Sequence, residues 1–312
     1  MQAPFFLETA KAETVLIAGA GGGFDVVSGI PLYLHFRSQG KQVVLANLSF
    51  TALNFSECEE VFPGTYRVTD QAAELPYFPE KYILEWLRAR GEEPLVYAFS
   101  NKMGVQPLRQ AYTHLIERHQ VDTLVLVDGG TDSLMFGDEA KVGTIVEDAC
   151  SIVATGQLPV ANAYLAAIGF GVEHDLNHHA CLENMAALIK GEQDLGAMSL
   201  TQGMAEGRAY LELVDYLNTR MKLHQSIVTN SIASAVRGEF GDFHSTRRTQ
   251  GTVQFISPLM SLFWFFRLQG VAKSIRFADE IQQSMSMQEV ANTFQRFRIM
   301  SERRIPQGIP LK

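Results

Sequence analysis

Five short apolar runs, each the length of a β-strand, constrain this chain more than any other feature. They are "TVLIAGA" (14–20), "QVVLANLSF" (42–50), "PLVYAFS" (94–100), "TLVLVDGG" (123–130) and "AYLAAIGFG" (163–171). Helical patterns separate them. One runs from Asp25 to about Arg37, and "PEKYILEWLRARG" (79–91) spaces Tyr82, Ile83, Trp86 and Leu87 along one helical face. "QPLRQAYTHLIERHQ" (106–120) and "GTIVEDACSIVATG" (143–156) continue the alternation, and "YRVT" (66–69) is a weaker strand pattern. Strands that alternate with helices imply right-handed crossovers and parallel pairing. Near-continuous apolar strands fit a sheet covered on both faces. The expectation is an α/β protein with a Rossmann-like, doubly wound, mostly parallel sheet.

After about residue 200 the strand runs stop. "MAEGRAYLELVDYLNTRM" and "SMQEVANTFQRFRIMSE" are helical, the second opening with Ser286 and Glu289 at capping-box spacing. The organisation expected is a Rossmann-like α/β domain over 1–200. A helical C-terminal region over 201–312 packs on it or forms a subunit interface.

Composition narrows the setting. The chain has 312 residues, and no apolar run reaches the roughly 18–20 residues of a membrane span. The longest, "VQFISPLMSLFWFF", is interrupted by polar residues and Pro258, and reads as a buried element. Its apolar end, "SLFWFF", equally suits a homo-oligomer interface. The N-terminus shows no basic-then-apolar leader, and Cys58, Cys150 and Cys181 form no CxxC pair. These features point to the cytoplasm, with no membrane partner. The net charge of −8 is uneven: residues 237–312 carry +5, leaving −13 on the rest. No nucleic-acid module is present, and overall acidity argues against such a partner.

The loop "GAGGGFD" leaves the first strand and enters a helix, where an open α/β sheet binds ligands. Gly21, Gly22 and Gly23 would let backbone approach a phosphate or ribose, with Asp25 as N-cap or ribose partner. The dinucleotide pattern GxGxxG is incomplete, because Phe24 stands at its third glycine. Asn47 ends the second strand where an NAD enzyme usually offers an acid, and is itself read as a ligand-binding residue on the polar rim. NAD is therefore the less favoured cofactor.

A second loop, "VDGGTDSLMFGDE" (127–139), sets Asp128 at a strand tip, followed by Gly129, Gly130, Thr131 and Asp132, then Asp138 and Glu139; "VEDACS" (146–151) comes just after. Carboxylates gathered beyond strand ends repel one another unless they hold a cation or a hydroxyl-rich ligand. Asp128 and Asp132 are read as catalytic. Asp132, Asp138 and Glu139 are read as ligands for Mg²⁺. Asn101 and Lys102 extend the polar rim from the 94–100 run, the lysine suiting a phosphate. "GFGVEHDLNHHACLEN" adds Glu173, Asp175, His174, His178 and His179; His174 is taken as a general base. HExxH is absent, and zinc is not favoured. Cys181 reads as a buried thiol, and Arg247 or Arg248 can contact an anion.

"VLIAGAGGGFDVVSGIPL" and "LVDGGTDSLMFGDEAKVGTIVEDA" together resemble the signature stretches of an uncharacterised Rossmann-like family, a domain of unknown function of the 1152 series. The resemblance implies the fold and the place of the site, and supplies no reaction. In that pattern the second strand often leads into Trp-Glu; here "SFTALN" lacks the acid. The functional expectation is an intracellular hydrolase or group transferase acting on a nucleotide-like or phosphorylated small molecule. The alternatives are an NAD-dependent oxidoreductase and a non-catalytic nucleotide-binding regulator.

Overall fold

The computed structural model describes residues 2–309. Its strands in chain order are β1 (Thr14–Gly19), β2 (Gln42–Ser49), β3 (Glu59–Phe62), β4 (Thr65–Val68), β5 (Leu95–Ser100), β6 (Thr123–Gly129), β7 (Asn162–Ile168) and β8 (Asp194–Ser199), then a two-strand ribbon of β9 (Gly241–Asp242) and β10 (Phe255–Ile256), and β11 (Leu262–Arg267). Nine of them form one sheet, ordered β3-β4-β5-β2-β1-β6-β7-β11-β8. The five apolar runs are its centre, β5-β2-β1-β6-β7, and all four pairings there are parallel. Antiparallel additions close both sides: the β3–β4 hairpin beside β5, and β11 with β8 beside β7.

The helices are α1 (Pro4–Glu8), α2 (Asp25–Ser28), α3 (Ile30–Ser38), α4 (Pro79–Ala89), α5 (Val105–His119), α6 (Ile145–Thr155), α7 (His178–Lys190), α8 (Ala205–Arg220), α9 (Ile227–Arg237), α10 (Leu268–Ser274), α11 (Ala278–Ile281) and α12 (Met287–Met300). Side chains alternate across a strand, so β1 sends Val15 and Ile17 to one face and Leu16 and Ala18 to the other. The Val15 face is covered by α1, α3, α4, α8 and α9, through Phe5, Phe36, Ile83, Leu213 and Ile232. The Leu16 face is covered by α5, α6, α7, α10, α11 and α12, through Leu115, Ile152, Met185, Val271, Ile281 and Phe294. Double burial explains why these strands lack alternating polar residues.

Local signals decode as chemistry. The helix expected from Asp25 breaks at Gly29, where a Cβ would come within 2.8 Å of Ile17, and Pro31 restarts it as α3. Ser286 caps α12 by accepting from the Glu289 amide, while the Glu289 carboxylate accepts from Met285 N–H. Asn177 caps α7 through the Ala180 amide. The long apolar run is strand β11: Phe263, Phe265 and Phe266 are buried, and Phe265 stacks on Phe5 at 4.1 Å. Core burial therefore accounts for "SLFWFF". The C-terminal region is mostly helical, with β11 joining the main sheet and β9 and β10 forming a short separate ribbon.

The chain after α12 returns to the loop following β6. Arg304 donates to Asp138 (2.9 Å), Glu139 (2.6 Å), Asn184 (2.8 Å) and Glu183 (2.8 Å). Glu139 is fully buried and also accepts from Phe136 N–H, Gly137 N–H and the Asn184 amide. This corrects the expectation that Asp138 and Glu139 are metal ligands. Their cation is arginine, and their oxygens are spent on clamping the C-terminal segment to this loop. Removing one partner of a buried, hydrogen-bonded charge pair leaves the other uncompensated. Arg304→Ala should lower stability to denaturant by about 2–3 kcal/mol, less than a fully buried pair because the guanidinium is partly exposed. The neighbouring, exposed Arg303→Ala should change it by under about 0.5 kcal/mol.

Candidate functional site

The chain winds outward from β1 to β2 and β5, then crosses back to β6 and β7. The strand order reverses between β1 and β6, and the loops leaving their carboxyl ends diverge there, opening a crevice. A cleft of about 680 Å³ occupies it, floored by Gly21, Gly22, Gly23 and Gly129 and walled by Asp25, Asp132, Glu147, Asp148 and Glu173.

The glycine loop is wrapped around a carboxylate of its own. Helix α2 starts at Asp25 with Phe24 at the N-cap position, so Asp25 is not the cap expected. Its carboxylate turns back to accept from Gly21 N–H (2.7 Å) and across to accept from Gly129 N–H (3.2 Å). The Gly22 amide also faces it. Gly23 N–H is used by the Leu48 carbonyl (2.9 Å). The amides expected to hold a phosphate thus hold Asp25 and strand β2. The glycines themselves are required. Gly22 has φ +88°, and a Cβ there would meet the Leu48 carbonyl oxygen at 2.4 Å. A Cβ at Gly21 would meet Asp148 Oδ2 at 2.4 Å.

The second loop is equally committed to carboxylates. Asp128 is buried and accepts from Ser133 N–H and Oγ–H. Asp132 is buried and accepts from Thr144 N–H (3.0 Å) and Oγ1–H (2.6 Å). Thr131 N–H donates to Glu173 (3.3 Å), and Gly130 N–H to the Ile168 carbonyl (2.8 Å). Asp148, in the first turns of α6, is 1% exposed, and its Oδ1 has no hydrogen-bond partner. One oxygen each from Asp25, Asp128 and Asp148 lie within 4.8 Å of one another. Among the described residues, no ion pair reaches any of these carboxylates.

Burial and mutual repulsion act in one direction. Burial, then the charge of Asp132, pushes Asp25 up to about 7, against the opposing amide bonds. Burial and the neighbouring aspartates hold Asp128, Asp148 and Glu173 well above the ordinary carboxylate range. Asp132 is raised by burial, and Thr144 partly offsets this. Glu147 is raised by burial too.

Other predicted residues fall elsewhere. Asn47 is buried behind the glycine loop, donating to the Gly23 carbonyl and to Glu80 (2.8 Å each); it braces the loop and does not line the cleft. Asn101 and Lys102 line a neighbouring depression that shares Thr144 and Glu147 with the cleft. His174, expected as general base, is exposed and does not line the cleft. His178 packs edge-on against Phe170. Burial pushes the Cys181 thiol up, so it is no nucleophile. Arg248 does line the cleft.

Sequence reasoning passes over Asp148 and the cleft role of Glu173. Asp148 sits in "VEDACS", directly after the carboxylate loop, where a first-turn acid reads as an ordinary helix-dipole partner. Glu173 is hidden among histidines. The outer wall is also missed: Phe24, Phe50, Tyr77 and residues 223–229, the last from a segment distant in sequence.

The fold and this site define a Rossmann-like α/β protein with an acidic cleft at the switch point of its sheet. The chain belongs to the family described as "Protein of unknown function (DUF1152)", whose model matches residues 16–308. Comparison with curated proteins found no match.

The raised carboxylates make stability pH-dependent. Asp25 binds its proton more tightly folded than unfolded, so its contribution is complete below about pH 4 and is lost as pH rises through about 7. Every tenfold gain in proton affinity on folding corresponds to about 1.4 kcal/mol. The melting temperature of chelator-treated protein should fall by several degrees between pH 5 and pH 8. Asp148→Asn, which removes one of the repelling charges, should flatten that fall; an unchanged slope would mean that the cluster does not repel as described.

Proposed function

We propose that this protein is an intracellular enzyme that binds a nucleotide-like or phosphorylated small molecule in the switch-point cleft and catalyses hydrolysis or group transfer. The observation that carries this reading is the gathering of Asp25, Asp132, Asp148 and Glu173 around one crevice at the carboxyl edge of a parallel sheet. Structural aspartates are normally satisfied by donors, and Asp148 is not. Burial raises the Asp132 carboxyl above its ordinary value, which brings it closer to the range suited to proton transfer.

The ligand class follows from the walls. Carboxylates accept from sugar hydroxyls; Arg248 and Ser226 line the same cleft, the arginine suited to a phosphate. Tyr77 and Phe50 at the rim offer faces for a planar base. The acid lining disfavours a bare polyanion and hydride chemistry, and Asn47 and Phe24 depart from the dinucleotide pattern. For location, the three cysteines are unpaired, and among the described residues no helix is long and apolar enough to cross a membrane; the thiols suit a reducing cytoplasm.

Asp132 is the residue to test first, since it lines the cleft and is positioned by Thr144. A thermal-shift panel of nucleotides, ADP-ribose, nucleosides and sugar phosphates should identify a ligand that raises the melting temperature. Asp132→Asn should keep that ligand's affinity within about threefold and lower turnover by about 100-fold or more. If no member of the panel stabilises the protein at millimolar concentration, the reading is wrong. If ligand binds without any turnover, the protein is a regulator instead.

A further inference from the structure

We infer that Asp25, Asp128 and Asp148 form a binding site for one hard divalent cation, of the Mg²⁺, Mn²⁺ or Ca²⁺ class, on the floor of the cleft. The inference rests on the proposed function only for what the cation then does; the site itself stands on geometry.

Three carboxylate oxygens, from three different elements, lie within 4.8 Å of one another. Opposite ligands of Mg²⁺ stand about 4.2 Å apart and those of Ca²⁺ about 4.8 Å, so one ion can touch all three. The donors are all carboxylate oxygen, and no histidine or cysteine joins them, which selects a hard ion over zinc. The independent observation is Asp148. It is 1% exposed, its Oδ1 finds no donor, and its Oδ2 is aimed at the glycine loop where even a Cβ on Gly21 would collide with it. A buried carboxylate oxygen left without a donor is costly, and no lysine or arginine among the described residues pairs with it.

The surroundings suit an ion. Asp128 is fixed by Ser133, and Asp25 by the Gly21 and Gly129 amides, so two ligands are oriented by bonds to their other lone pairs. Asp132, held by Thr144, and Glu173, held by the Thr131 amide, stand around them and can accept from the ion's water ligands. The cation also resolves the conflict in the glycine loop. Its amides are engaged with a carboxylate, so a phosphate entering the cleft would meet negative charge. An ion between Asp25 and that phosphate turns the repulsion into a bridge, the usual arrangement for Mg²⁺.

The test uses the full chain stripped with chelator at pH 8, and the metal alone as probe. Titration with Mn²⁺, followed by calorimetry and by the paramagnetic resonance signal of free Mn²⁺, should show one saturable site per chain, displaced by Mg²⁺ or Ca²⁺. Asp148→Asn and Asp128→Asn should each weaken it by at least about tenfold. Each variant's fold is checked by circular dichroism. Glu183→Gln, outside the cleft, should leave affinity unchanged. Absence of saturable binding by wild type at 10-fold excess over about 1 mM protein would overturn the inference, meaning that the carboxylates are held by shared protons instead. Binding that persists unchanged in both aspartate variants would overturn it as well. These outcomes are independent of the ligand panel: metal without ligand sinks the proposed function, and ligand without metal sinks this site.

Discussion

The Asp25 carboxylate joins the two halves of the sheet at the point where they separate. It accepts from Gly21 on the loop after β1 and from Gly129 at the end of β6, so one side chain spans the switch point. Strands β1 and β6 are hydrogen-bonded neighbours, yet their chains depart in opposite directions beyond Gly19 and Gly129. Without a bridge, the amides of both loops would face water or an anion. With Asp25 in place they face a carboxylate, and the sign of the site is inverted relative to an ordinary glycine-rich phosphate loop. Most of what surrounds the cleft follows from that inversion.

Gathering further acids around Asp25 costs stability, and the fold meets the cost with donors that are local and specific. Ser133 serves Asp128, Thr144 serves Asp132, and the Thr131 amide serves Glu173. The donors to Asp128 and Asp132 sit in the same loop or in the turn leading into α6, while Glu173, in the loop after β7, is held across the crevice by the loop after β6. Behind them the Leu16 face is apolar and dry, with Ala149 and Cys150 adjoining Asp148 in the core. That apolar backing is why burial dominates every raised carboxylate.

The strand and crossover pattern was legible because parallel strands buried on both faces leave few polar residues to confuse their boundaries; all five runs became the central strands, the first four within a residue and the last ending three residues early at Ile168. The place of Asp132 was legible for a related reason, since the loop beyond a strand tip in this topology faces the crevice; Asp128, on the strand itself, is buried and does not line it. Pairing choices were not legible. Asp138 and Glu139 look like further members of the same loop, and only the return of the chain to place Arg304 beside them reveals their role. Asn47 stands at a strand end as a ligand residue would, but the turn after β1 covers it and takes its amide. β11 was missed as a strand because a lone antiparallel strand carries no crossover helix to announce it.

The roof of the cleft belongs to the other half of the chain. Residues of the 223–229 segment and Arg248 come from the region that follows the sheet's parallel core, yet they line the same cleft as the glycine loop. Helix α9 begins at Ile227, capped by Ser226 through the Thr229 amide, and its buried residues pack with the Val15 face. The position of this wall is thus set by the same core that sets β1. Charge is divided accordingly: the lining from the loops after β1 and β6 and from α6 is acidic, while the C-terminal region contributes Arg248. The floor therefore repels negative charge unless a cation covers it, and the arginine lies on a different part of the lining.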